Sequence, residues 1–112
     1  MSIDFEQGTD LLVVRVRTLR VDAAAAPGLK AKVIERIEQG ARRLVLDLKE
    51  VEFMDSTGLG TLLSLLKRVP QGGSLALCGC GASVLELLKL TRLDRVFQIY
   101  PDSGAAALAL AV

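Results

Sequence analysis

Residues 44–66 constrain the fold of this 112-residue chain more than any other stretch. They begin with Leu-Val-Leu-Asp-Leu, an apolar alternation that is typical of a buried strand. They end in a leucine-rich run whose spacing of i, i+3, i+4 and i+7 predicts one apolar helix stripe, formed by Leu59, Leu62, Leu63 and Leu66. Three polar residues that favour helix N-caps lie between the two parts: Asp55, Ser56 and Thr57. We therefore expect a strand, a turn and a helix, with two hydroxyls and a carboxylate at the positive helix end.

The residues before this stretch predict a hairpin and one amphipathic helix. Two short strands, at 3–6 and 11–16, flank a Gly-x-Asp turn signal, and residues 19–27 form a loop. Pro27 suits the first turn of a helix that runs to about Gln39 and stops at Gly40. Its predicted core-facing residues are Leu29, Val33, Ile34 and Ile37.

The residues after position 41 alternate between strands and helices. Strands are predicted at 42–48, 74–79 and 96–99, and a helix at 82–90. A last helix begins at Asp102 or Ser103, and Leu108 and the neighbouring alanines are expected to hold it against the core. This alternation predicts an α/β fold: one domain over residues 1–112, with a mixed sheet of four or five strands and about four helices.

Composition argues against several classes of function. Fourteen basic and thirteen acidic residues leave no strong field for nucleic acid, and no Trp is present for base stacking. The chain has no His, the commonest metal ligand and general base, so we expect no catalytic residue, metal or cofactor. No apolar stretch approaches a membrane span and no secretory signal opens the chain, so we expect a cytoplasmic protein without membrane insertion.

Three further patterns are better explained by structure than by chemistry. Cys78 and Cys80 form a C-x-C pair that, on a strand, would place two small buried thiols on one face. Residues 79–84 imitate a dinucleotide-binding glycine motif, but Val84 stands where the third glycine is needed. Ser56 has no histidine to activate it, which argues against a hydrolase nucleophile.

The stretch Val-Glu-Phe-Met-Asp-Ser-Thr-Gly-Leu-Gly at 51–60 resembles the STAS domain of bacterial anti-sigma factor antagonists. Residues 21–29 resemble that family's loop into its first helix, and residues 87–100 resemble its third helix and last strand. The resemblance spans nearly the whole chain and implies a STAS-like fold. Leu19 departs from the family, which often has glycine at that position.

The resemblance implies a partner-switching role. The unphosphorylated chain would bind an anti-sigma factor that is also a serine kinase of the GHKL type, which frees that factor's other client. Phosphorylation of Ser56 would end the binding, Thr57 would be a minor site, and a PP2C-type phosphatase would reset the switch. The residues expected to contact the partner are Asp22, Asp55, Ser56, Thr57, Gly58, Leu59, Gly60 and Ser64.

Other interpretations remain open at this point. Asp55, Ser56 and Thr57 would also serve as a plain helix cap, and Asp22 as an ordinary loop aspartate. The same fold occurs as a STAS subunit of lipid-transport ABC systems, where no sigma pathway is involved. The third alternative is a small enzyme or a nucleotide-binding protein. Steady catalysis with a cofactor would support this alternative.

Overall fold

A mixed sheet of five strands forms the centre of the computed structural model, which describes residues 2–110. The strands and helices follow in the order β1 Ser2–Gln7, β2 Leu12–Arg17, β3 Arg20–Val21, α1 Ala26–Glu38, β4 Arg43–Asp47, β5 Phe53–Met54, α2 Ser56–Arg68, β6 Ser74–Cys78, α3 Ala82–Leu90, β7 Gln98–Tyr100 and α4 Ser103–Leu110. A 3₁₀ turn, Leu93–Arg95, precedes β7.

The strand order in this sheet is β1-β2-β4-β6-β7. The opening hairpin makes β1 and β2 antiparallel, and every other neighbouring pair in the sheet is parallel. Helical connections join the parallel strands, as parallel pairing requires. The predicted α/β class, the five-stranded mixed sheet and the four helices are therefore confirmed.

The two faces of the sheet carry cores of different size, because successive strand side chains point to opposite faces. Leu44 and Leu46 of the central strand β4 belong to the larger core, which α1, α2 and α3 cover. Val45 points the other way into a smaller core, where Ala106 and Leu110 of α4 cover it. Ser56, at the start of α2, therefore lies on the side of the sheet that carries the larger core.

A second, two-stranded parallel sheet joins β3 to β5, and the sequence did not predict it. Arg20 pairs with Phe53, and Val21 pairs with Met54. Strands of two residues carry no periodicity, so the pattern of residues 19–27 indicated only a loop. This small ladder brings the loop before α1 against the turn before α2.

Three predicted packing details are wrong. Leu108 is 81% exposed, and α4 is held instead through Ala106 and Leu110. Cys78 and Cys80 do not share a face, because β6 ends at Cys78 and Gly79 turns the chain at a φ of +68°. In α2, Leu65 is fully buried while Leu63 and Leu66 lie at the edge of the core, so the apolar stripe is displaced around the helix.

Candidate partner-binding site

Ser56 is the first residue of α2, and Asp55 forms the helix cap before it. Asp55 has extended backbone angles, φ −107° and ψ −171°, and its side chain accepts a hydrogen bond from the Gly58 N–H at 3.0 Å. Its carbonyl also accepts the Leu59 N–H at 3.0 Å. Ser56 and Thr57 are exposed, so both hydroxyls stand on a turn whose shape the Asp55 cap holds.

The β3–β5 ladder brings Asp22 next to this turn. Leu19 carbonyl oxygen accepts the Glu52 and Phe53 N–H groups at 2.8 and 3.0 Å, and Val21 carbonyl oxygen accepts the Asp55 N–H at 3.4 Å. Because the strands are parallel and Val21 pairs with Met54, the residues that follow them, Asp22 and Asp55, lie side by side. The site is thus built from two segments more than thirty residues apart in the chain.

Asp22 is held in place by the backbone of the turn that leads into α1. One carboxylate oxygen accepts the Ala24 and Ala25 N–H groups, both at 3.1 Å. The bond from Ala25 is the main reason that the pKa of Asp22 is lowered, and the Ala24 bond and nearby Arg20 act in the same direction. Asp22 is therefore an ionised acceptor with a fixed orientation.

Gly58 permits the close approach of α2 to β3. A Cβ at this position would lie 2.5 Å from the Val21 carbonyl oxygen and 2.6 Å from the Met54 side chain. At Gly60, two residues further along the same helix, an added Cβ would meet nothing within 4 Å. Of these two glycines in α2, Gly58 is therefore the one that requires the absence of a side chain for packing.

The predicted contact residues do not all reach the surface. Ser56, Thr57 and Gly60 are exposed, and Asp22, Asp55 and Ser64 are half-buried. Gly58 is buried and Leu59 is 7% exposed, so both lie beneath the exposed turn and support it through packing.

An exposed apolar and cationic group beside the site was missed by sequence reasoning. Leu19 is 61% and Phe53 37% exposed, and the Arg20 guanidinium lies 4.2 Å from the centre of the Phe53 ring. One available signal was Leu19, a large apolar residue at the start of the predicted loop. The position of Leu19 and Arg20 opposite Glu52 and Phe53 depends on the β3–β5 pairing, which local sequence pattern does not reveal.

The electrostatics of the site follow from these placements. The N-terminus of α2 is favourable for negative charge, and the Asp55 carboxylate already caps it. The Asp22 carboxylate is engaged on the turn that leads into α1. Within residues 2–110, no group of three or more Cys, Asp or Glu side chains is arranged to hold a metal ion. The site can present hydroxyls and carboxylates to another macromolecule.

A five-stranded mixed sheet with an exposed serine opening α2 defines the class of protein. The model of the STAS domain family matches residues 2–106, so the chain belongs to the STAS domain family. This confirms the resemblance predicted from the Asp-Ser-Thr-Gly-Leu-Gly motif.

Relatives within the family have regulatory names. The chain is 35% identical over 104 residues to the anti-sigma-B factor antagonist of Bacillus subtilis, which covers 92% of this chain and 94% of that protein. It is 31% identical over 114 residues to the anti-sigma F factor antagonist of Paenibacillus polymyxa, and the match covers 100% of this chain and 97% of that protein. An anti-sigma factor antagonist structure from Mycobacterium paratuberculosis superposes with a TM-score of 0.92 at 26% identity, covering 99% of this chain and 94% of that one.

Among residues 2–110, no helix combines the length and apolar character needed to cross a bilayer.

Proposed function

We propose that this chain is an anti-sigma factor antagonist that acts as a single cytoplasmic STAS domain and is switched by phosphorylation of Ser56. The observation that carries the proposal is the exposed Ser56 hydroxyl at the start of α2, beside Asp22 and Asp55. The names of the relatives at 31–35% identity support the antagonist role.

The proposed partner is an anti-sigma factor that is also a GHKL-type serine kinase. The unphosphorylated chain binds it and releases its client, and a PP2C-type phosphatase restores the unphosphorylated chain. Thr57, exposed beside Ser56, is a minor acceptor. In this proposal the chain supplies no catalytic residue, because the kinase and the phosphatase perform the chemistry.

Phosphorylation would change the surface and leave the fold intact. A phosphate adds roughly −1.5 to −2 charges and three acceptor oxygens. The N-terminus of α2 tolerates that charge, because the helix dipole stabilises an exposed negative charge there by about 0.3–1 kcal/mol. In a closed interface the same charge would be desolvated next to Asp22 and Asp55. Since roughly 1.4 kcal/mol is a tenfold change in affinity, a few kcal/mol of repulsion abolishes binding.

A kinase assay tests this proposal directly. Each GHKL-type kinase encoded in the same genome is purified and incubated with the chain and ATP, and the product is mapped by mass spectrometry. We expect one phosphate on Ser56, lost in Ser56→Ala and retained in Ser83→Ala, which removes an exposed hydroxyl from the first turn of α3. Phosphate that persists in Ser56→Ala, or binding unaffected by modification, contradicts the proposal.

A further inference from the structure

Two long side chains stand out of the protein at the start of β3, the strand that pairs with the segment before Ser56. Leu19 is 61% exposed, and the side chain of Arg20 is 62% exposed. The backbone under them is fixed, because the Leu19 carbonyl oxygen accepts two N–H groups from the β5 segment, at 2.8 and 3.0 Å.

Arg20 is also held at its tip. Its guanidinium lies over the Phe53 ring at 4.2 Å, and its Nε lies 3.6 Å from the Asp22 carboxylate. A planar guanidinium that stacks on a ring keeps its edge available for a carboxylate. The Arg20 side chain therefore stands at the surface with much of its conformational freedom already lost.

An open groove of about 650 Å³ runs from these side chains to the first two turns of α1. Leu19, Ala24, Ala25 and Gly28 supply apolar and small surface in its lining, and Arg20 and Lys32 supply two cations. The acidic residue in the lining, Asp22, is engaged by the Ala24 and Ala25 N–H groups. The groove thus offers apolar surface with two positive charges, Arg20 and Lys32, against the one negative charge of Asp22.

We propose that this groove binds a segment of the same anti-sigma factor that contacts Ser56, through an apolar side chain against Leu19 and a carboxylate against Arg20. The inference rests on the proposed function and adds to it a determinant of which anti-sigma factor is bound. Two features support it: the excess of positive over negative charge in the lining, and the backbone contact of Val21, next to Asp22 of the lining, with Asp55 of the Ser56 turn.

The energetics favour such a contact. Arginine is enriched among the residues that dominate binding energy at interfaces, and its bonds to carboxylates are charge-assisted. Ordering flexible side chains is a substantial cost of association. The fixed backbone under Leu19 and the stacked Arg20 reduce that cost, so a small contact area can contribute a measurable share of affinity.

The test measures affinity against a purified panel of the GHKL-type anti-sigma factors of the source genome by titration calorimetry. The variants are Leu19→Ala, Arg20→Glu and the double variant. Leu108→Ala is the matched apolar control, since Leu108 is also an exposed leucine but lies on α4 across the sheet. Lys67→Glu is the matched charge control; it lies eleven residues from Ser56 along α2, roughly 16 Å away. Circular dichroism and melting curves verify the fold of each variant.

We expect about a tenfold loss of affinity for each single variant, a larger loss for the double variant, and less than a twofold change for either control. Replacing the partner carboxylate that contacts Arg20 by lysine should restore the binding of the Arg20→Glu variant. If wild-type affinity is lost in Ser56→Asp but unchanged in the Leu19 and Arg20 variants, the groove inference fails and the proposed function stands. If the wild-type chain binds no panel member, both fail. If free phosphate or acetate saturates the groove and leaves partner binding unchanged, the groove is an anion site and the inference is overturned.

Discussion

Asp22 and Asp55 follow the two paired strands β3 and β5, and each carboxylate accepts backbone N–H groups of the turn that comes next. Asp22 accepts those of Ala24 and Ala25, and Asp55 accepts that of Gly58. The Val21 carbonyl oxygen accepts the Asp55 N–H at 3.4 Å, so the backbones of the two turns are neighbours. A phosphate on Ser56 would stand exposed at the first position of α2, which is why we expect its main effect on the surface and not on the fold.

Replacing Ser56 by aspartate separates these two effects. We expect Ser56→Asp to melt within about 3 °C of the wild type, since a carboxylate at the first position of a helix is tolerated by the helix dipole. The same variant should lose binding to the cognate kinase, as measured by calorimetry. Ser83→Asp, at an exposed position in the first turn of α3, is the control for added charge. A melting temperature many degrees lower in Ser56→Asp would contradict the surface-switch interpretation.

Gly58→Ala and Gly60→Ala should change stability in opposite directions. An added methyl at Gly58 meets the Val21 carbonyl oxygen and Met54, so α2 must shift, and we expect a loss of about 1–3 kcal/mol in the free energy of unfolding. At Gly60 the methyl meets open space, and alanine should stabilise α2 by roughly 0.5–1 kcal/mol. Urea unfolding of the two variants measures both values. Equal effects at the two positions would show that α2 does not approach β3 as described.

The stabilising effect of Asp22 should depend on pH. Its hydrogen bonds lower the pKa of Asp22 in the folded state, so the folded chain favours the ionised form. That contribution is fully present above the unfolded pKa of about 3.9 and disappears as pH falls through the lower folded value. We therefore expect wild type and Asp22→Asn to differ in urea midpoint at pH 6 and to converge in strong acid. If the two urea midpoints differ by the same amount down to pH 2, the ionised Asp22 carboxylate does not stabilise the fold in this way.

Both thiols should be unreactive in the folded protein. Burial is the largest cause that raises the pKa of Cys78 to about 12 and that of Cys80 to about 11, with Asp47 acting in the same direction at both. At pH 8 the thiolate fraction is then very small, and a disulfide reagent should label neither thiol rapidly. The same reagent in denaturant should label both at once. Fast labelling of Cys80 under native conditions would contradict the burial seen here.

Local pattern was sufficient where a segment is long and its side chains alternate or repeat clearly. The hairpin, the central strand β4, and the bounds of α1 and α3 were predicted within one or two residues, because burial on one face imposes a period on the sequence. The Asp55 cap was predicted for the same kind of reason, since capping is a contact between near neighbours. The family resemblance added the expected role of Ser56, which stays a proposal.

Tertiary structure decided what depends on segments distant in the chain. The β3–β5 pairing brings the segment that carries Leu19, Asp22 and the groove against the segment before Ser56, and two-residue strands leave no signal of their own. Leu108 and Leu110 have the same side chain, yet only packing against the sheet buries one and exposes the other. The amino-acid sequence alone thus determined the order of the longer strands and helices and the motif that presents Ser56. The surface around Ser56 arises only when distant backbone groups hydrogen-bond to each other, and that pairing is a property of the folded chain.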